Sequence, residues 1–250
     1  MRIKKYYLAV KSFWQRKVKV GFLLPANALV IDIGSGDKPF WRADVFFDNL
    51  QLDNCQRNTN APAITNMGLF ISGDIGKKTR FPKHCFDYCF CAHLLEHVDD
   101  PAAVIKEIMR IAAAGYLEVP NGTNEALSPF VSHLWAIYLD GDTLVFRRKT
   151  KDDHAVWSAN YVSFHRHCNS LAKPFISYHW RGSIKYRIID CPANQRYYPD
   201  KVAVPTVLVK PQTLKTYGGA YLLIVRFLRK FFYHCQQQKK RLQKIAQLYA

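Results

Sequence analysis

The chain has 250 residues, 49% of them apolar, and carries 36 Lys and Arg against 19 Asp and Glu for a net charge of +17. That length and apolar share exclude a disordered or low-complexity protein and allow one domain with a full core. Seven cysteines at irregular spacing, with no leader-like start, exclude a disulfide-stapled secreted module and point to a reducing cytoplasm.

The charge is uneven. Residues 22–200 hold 19 basic and 19 acidic side chains, whereas seven basic residues precede Gly21, ten follow Asp200, and neither end has an acid. A neutral fold therefore carries two basic arms. In residues 1–21, Ile3, Tyr6, Tyr7, Val10, Phe13 and Trp14 recur at helical spacing while Lys4, Lys5, Lys11 and Arg16 fall largely elsewhere. This is a basic amphipathic helix that either packs on a sheet edge or lies on an anionic membrane surface.

Leu29-Val-Ile-Asp32-Ile-Gly34-Ser-Gly36 reads as a buried strand running into an acidic, glycine-spaced turn. Glycines at such an exit let the backbone approach a ligand closely. The spacing lacks the third glycine of a dinucleotide fingerprint and the Lys-Ser/Thr ending of a phosphate loop. An acid inside the turn suits a cationic ligand group rather than a pyrophosphate, and an ordinary strand-to-helix turn stays open on these residues alone.

Val45-Phe-Phe-Asp48 is a second short strand ending in an acid 16 positions after Asp32, near the offset at which such folds set a carboxylate on ribose hydroxyls, with Asp53 as fallback. Gly73-Asp74 follows. Phe86 to Ala92 is another apolar strand, delivering His93-Leu-Leu-Glu96-His97-Val98 at its end. Asp99-Asp100-Pro101 opens a helix whose Val104, Ile105, Ile108 and Met109 share one face, and Tyr116-Leu-Glu-Val-Pro120 is the next strand. Strands alternating with helices predict an α/β fold with a doubly wound parallel sheet.

In their order and spacing over residues 29 to 121, these segments resemble the class I S-adenosylmethionine-dependent methyltransferases of the kind with a His-x-x-Glu-His block. The resemblance implies a Rossmann-like, mostly parallel sheet of the seven-stranded type whose last strand runs antiparallel. It also implies S-adenosyl-L-methionine as cofactor, with Asp32, Gly34 and Gly36 around the methionine end, Asp48 on the ribose, Asp74 by the adenine, and His93 facing the methyl group. The run of small residues that usually opens the first helix is replaced by Asp37-Lys-Pro-Phe40, so that helix is expected to be short or displaced.

The expected organisation is a methyltransferase domain over 22–211, containing a substrate-covering insertion at 122–182, and a basic amphipathic C-terminal tail over 212–250. The insertion is rich in rings and imidazoles, among them Phe130, His133, Trp135, Tyr138, Trp157, Tyr161, Phe164, His165, His167, Tyr178, His179 and Trp180, which either line an acceptor pocket or form a small core. Ile184–Ile189 and Val202–Val209 are read as the closing strands. In the tail, Arg226 interrupts the apolar run at Tyr221–Val225, far short of the ~20 residues a spanning helix needs.

A hydroxyl acceptor must lose its proton, and a neutral imidazole is the usual base. His93 is expected in that role, with His97 or Glu96 orienting it, and a purely structural role for both histidines stays open. His84, Cys85, Cys89, Cys91, His93 and His97 are clustered, but no Cys-x-x-Cys pair supports a metal, and none is expected. Three readings follow: a methyltransferase on a small-molecule, glycan or lipid-linked acceptor beside the cytoplasmic membrane face; a nucleic-acid methyltransferase holding RNA by its basic arms, less favoured because the central domain is neutral; and a non-catalytic membrane scaffold. Oligomeric state is not readable from the sequence.

Overall fold

A computed structural model of the chain describes residues 18–49, 66–127, 129–153, 175–198, 217–232 and 239–249. The N-terminal apolar stripe from Ile3 to Trp14, Asp53, the rings at Trp157, Tyr161, Phe164, His165 and His167, and the expected strand Val202–Val209 lie outside the described residues.

After a short helix α1 (Lys19–Phe22), the strands β1 (Val30–Ile33), β2 (Val45–Asp48), β3 (Leu69–Ser72), β4 (Tyr88–Ala92), β5 (Ala114–Pro120) and β8 (Phe175–Arg181) form one sheet in the order β3-β2-β1-β4-β5-β8. The first five run parallel, and β8 pairs antiparallel with β5 from Ala114↔Arg181 to Pro120↔Phe175. This is the Rossmann-like, mostly parallel architecture expected, with six strands among the described residues instead of seven.

Strand alternation sorts the core into two layers. Ile31, Ile33, Val45, Phe47, Cys89, Cys91 and Leu117 face helix α2 (Pro101–Ile111), which buries Val104, Ile105, Ile108 and Ile111 against them. Asp100 caps that helix by accepting the N–H of Ala103 at 3.0 Å, and Pro101 fills the first position, where a missing N–H costs nothing. On the other face Val30, Phe46, Phe90 and Tyr116 pack with Phe40 and Trp41, and the Phe40 and Phe90 rings stack at 4.2 Å.

No helix follows β1 among the described residues. The Asp32 carboxylate accepts the N–H of Phe40 at 2.6 Å, and the Arg42 guanidinium binds the carbonyls of Pro25, Ala26 and Ala28 at 3.0 to 3.1 Å. The backbone there is thus satisfied as a loop, and the displaced-helix expectation resolves into its absence. Helix α4 (Tyr217–Phe232) covers this layer instead, burying Leu222, Val225 and Leu228 while Arg229 donates to the carbonyls of Trp41 and Ala43.

Helix α3 (Gly122–Leu127) follows β5, and β6 (Trp135–Asp140), β7 (Thr143–Arg148) and β9 (Tyr186–Ile189) form a second sheet, antiparallel between β6 and β7 and parallel between β7 and β9. This corrects the expected closing strand at 184–189. The sheet-closing strand is β8, from residues read as part of the insertion, because Ile176 and Trp180 alternate inward onto the α2-side core. Within the expected basic amphipathic tail, residues 239–249 pack on the fold. Helix α5 (Lys239–Tyr249) docks through Ile245 and Tyr249, the latter tilted on Phe81 at 5.0 Å, and Arg241 pairs with Asp87 at 2.7 Å.

Candidate active site at the carboxyl ends of the strands

A cleft of about 470 Å³ opens beyond the carboxyl ends of β1, β2, β4 and β5, the place where open α/β sheets bind ligands. Asp32, Gly34, Gly36, Asp48, Asp74, His93 and His97, read from the sequence as site residues, all line it.

One half is built by the glycine turn. Gly34 and Gly36 have φ of +71° and +49°, a conformation that side chains rarely adopt. A Cβ on Gly34 would meet the Leu94 side chain at 3.2 Å. Gly34 donates its N–H to the Phe47 carbonyl and Gly36 donates to the Asp48 carboxylate, both at 2.8 Å, so the turn is moored to the end of β2. Asp32 is buried, with one oxygen committed to Phe40, which makes it a builder of the turn as well as part of the cleft wall. Asp74 caps its own turn by accepting the N–H of Gly76 at 2.8 Å. A floor without side chains, rimmed by carboxylates, in a volume typical of cofactor pockets fits a cofactor with cationic and hydroxylic groups.

The other half is a network of imidazoles and carboxylates. His93 adopts φ of +58°, which turns the chain out of β4. Its Nε2 lies 3.0 Å from Glu118 Oε1 on β5 and its Nδ1 3.3 Å from Glu96 Oε1. Burial alone would lower its pKa, but the hydrogen bonds and charges of Glu118 and Glu96 prevail and raise it to about 9. Both ring nitrogens are engaged by carboxylates, an arrangement that favours the imidazolium over the neutral base expected there. Burial instead lowers the pKa of His97, whose Nδ1 lies 3.1 Å from the Ser132 carbonyl. His133, reached by the turn before β6, sits edge-on to His97 with ring centroids 4.8 Å apart, and its Nδ1 is 2.7 Å from Glu125 Oε2. Glu125 also accepts from Lys149 Nζ and the Phe130 N–H, each at 2.9 Å.

Glu118, Glu125 and Lys149 escaped the sequence reading. The available signal was a charge set inside apolar strand sequence, as with Glu118 between Leu117 and Val119. Cys89 and Cys91 take no part, because both thiols are buried in the core with pKa values pushed far up by burial. The absence of a metal, expected from the cysteine pattern, meets a different cluster: Glu96, His97 and His133 each offer one ligand atom, all within 4.8 Å of one another.

Residues 41–117 match the family model described as a methyltransferase domain. Among solved structures, the chain is similar to a SAM-dependent methyltransferase from Thermotoga maritima, at 15% identity over 48% of this chain and 57% of that chain with a TM-score of 0.33. It is also similar to an S-adenosylmethionine-dependent methyltransferase from Mesorhizobium loti, at 15% identity over 51% and 61% with a TM-score of 0.32. A third is the YcgJ protein from Bacillus subtilis, at 18% identity over 54% and 62% with a TM-score of 0.33. The chain thus spans about three-fifths of the length of these structures. No curated protein matches it. The likeness to a methyltransferase domain thus runs from just before β2 into β5, the strands whose ends carry the cleft, and domains of that class take S-adenosylmethionine as methyl donor.

Proposed function

We propose that the protein transfers a methyl group from S-adenosylmethionine to an oxygen of a small-molecule, glycan or lipid-linked acceptor that it meets at a membrane surface. The observation that carries the reading is one cleft in which the glycine turn with Asp32, Asp48 and Asp74 adjoins His93 and His97. Asp32, Gly34 and Gly36 would hold the amino acid end of the donor, Asp48 its ribose and Asp74 its adenine. When bound, the donor supplies an electrophilic methyl group for in-line displacement, chemistry in which positioning provides much of the acceleration.

The chain's own part is to orient the acceptor and manage its proton. His93, with both ring nitrogens engaged by Glu96 and Glu118, fixes those two carboxylates at the cleft wall and serves as a positioning group. Proton removal falls to the His97 side of the cleft. Phe130 and Phe175 line the same space and offer flat faces for a ring or sugar.

The membrane part of the reading is supported by α4, which has a second apolar face. Leu223, Phe227 and Phe231 are 68%, 56% and 56% exposed, with Arg226 and Lys230 also exposed beside them. Aromatic and cationic residues on one docked helix suit an interfacial contact, and no described helix is long and apolar enough to cross a membrane.

The test is transfer of labelled methyl groups from the donor to three fractions: lipid-linked glycans, soluble small molecules and RNA. Label in either of the first two supports the reading. Label in RNA alone would replace it with the nucleic-acid reading, and none in any fraction, with no donor binding, would leave the scaffold.

A further inference from the structure

Glu96 is fully buried at the cleft wall, and its Oε2 has no hydrogen-bond partner. Its other oxygen is engaged by His93. A buried carboxylate oxygen without a partner is costly, and in a satisfied structure something charged or hydrogen-bonding normally meets it. Beside Glu96 lie two imidazoles, each with one ring nitrogen already engaged by an outer partner. His97 Nδ1 is set against the Ser132 carbonyl at 3.1 Å, and His133 Nδ1 against Glu125 Oε2 at 2.7 Å. Each ring therefore keeps Nε2 as its remaining ligand atom, and the outer partners fix the tautomer that leaves Nε2 with its lone pair. Glu125 is itself anchored by Lys149 and the Phe130 N–H.

We infer that Glu96, His97 and His133 form a binding site for a first-row transition-metal dication of the zinc or iron type. Two imidazole nitrogens and one carboxylate oxygen are the donors such ions prefer over magnesium or calcium, which favour oxygen-only sets. The carbonyl and carboxylate behind the two rings are the outer partners that orient metal-bound histidines. Three ligand atoms lying within 4.8 Å of one another close to the roughly 3.4 Å separation of a tetrahedral site, at metal–nitrogen distances of about 2.1 Å, by small side-chain rotations. With three protein ligands, the ion keeps an open position facing the cleft. There it takes the acceptor hydroxyl and lowers that group's pKa, a use of the ion that rests on the methyl-transfer reading and gives the His97 side of the cleft its means of removing the proton.

The experiment is titration of the chelator-treated full-length protein with Co²⁺, followed by visible absorption and by displacement with Zn²⁺. The expected result is one equivalent bound, with d–d bands, no sulfur-to-cobalt charge-transfer band, at least a tenfold loss of affinity in Glu96→Gln and in His133→Gln, and no change in Cys191→Ser. X-ray absorption on the zinc-loaded wild-type protein gives a readout that needs no variant to fold, with nitrogen and oxygen neighbours expected at the metal. No binding, a charge-transfer band, sulfur neighbours, or an affinity unchanged in the first two variants would overturn the site. No methyl donor enters the experiment, so its failure leaves the methyl-transfer reading standing, and failed donor binding leaves the metal site standing.

Discussion

His93 Nε2 lies 3.0 Å from Glu118 Oε1, joining the end of β4 to the middle of β5 across the cleft wall. Without that imidazolium, Glu96 and Glu118 would face each other's charge in a buried setting. His93→Ala is therefore expected to lower stability by about 1–3 kcal/mol in urea unfolding, the cost of leaving buried acceptors unpaired. Glu118→Gln should reduce kcat at least tenfold while the donor Kd changes less than twofold. Equal loss of both would mean that Glu118 serves the fold and not the acceptor side.

The glycine turn carries a steric prediction. Gly34 sits at φ of +71° with Leu94 3.2 Å from a would-be Cβ. Gly34→Ala should cost about 1–2 kcal/mol from the left-handed conformation alone, seen as a lower urea midpoint at unchanged m value.

Acid sensitivity is expected at the α2 edge. Burial opposes ionisation of Glu107, but hydrogen bonds from Arg110 and Thr79 and the Arg110 charge prevail and hold its pKa below 4.5, with Cys85 and Tyr249 the other titratable groups beside it. A carboxylate lowered in the folded state stabilises fully above its unfolded pKa and loses that contribution as pH falls through the folded value. The wild-type protein should thus lose stability below about pH 4.5, and Glu107→Gln should be less stable at pH 7 with a flatter acid profile. Thermal melts from pH 3 to 7 measure both.

Phe227 and Phe231 lie 4.7 Å apart, centroid to centroid, on the exposed face of α4. Replacing both with Asp should abolish sedimentation with anionic vesicles. Stability should stay within about 0.5 kcal/mol of wild type, because the buried residues of α4 are untouched. Unchanged vesicle binding would sink the membrane contact.

The glycine-turn half of the cleft was legible in the sequence because its pieces are local. Asp32, Gly34 and Gly36 fall within one turn, and Asp48 ends its own strand. The imidazole and carboxylate half is assembled over distance, with Glu118, Glu125, His133 and Lys149 brought to His93 and His97 by strand pairing and by the second sheet, which no short motif encodes. The charge of His93 was likewise hidden, since it depends on two carboxylates, one of them 25 positions away. Residues 175–181 misled the reading because two inward positions, Ile176 and Trp180, give a weak alternation, while Tyr186–Ile189 reads as a strand without revealing which sheet it joins. Helix α4 was legible as amphipathic, but not its docking on the layer left open by the missing helix after β1.

The central claim is that the turn moored by Asp48 to Gly36 binds the methyl donor. Isothermal titration of the full-length protein with S-adenosylmethionine and S-adenosylhomocysteine, beside Asp48→Ala, tests it most directly. The account predicts micromolar binding of both by the wild-type protein, weakened at least tenfold in the variant, or about 1.4 kcal/mol. Absence of binding to either ligand, or equal affinity in Asp48→Ala, would contradict it.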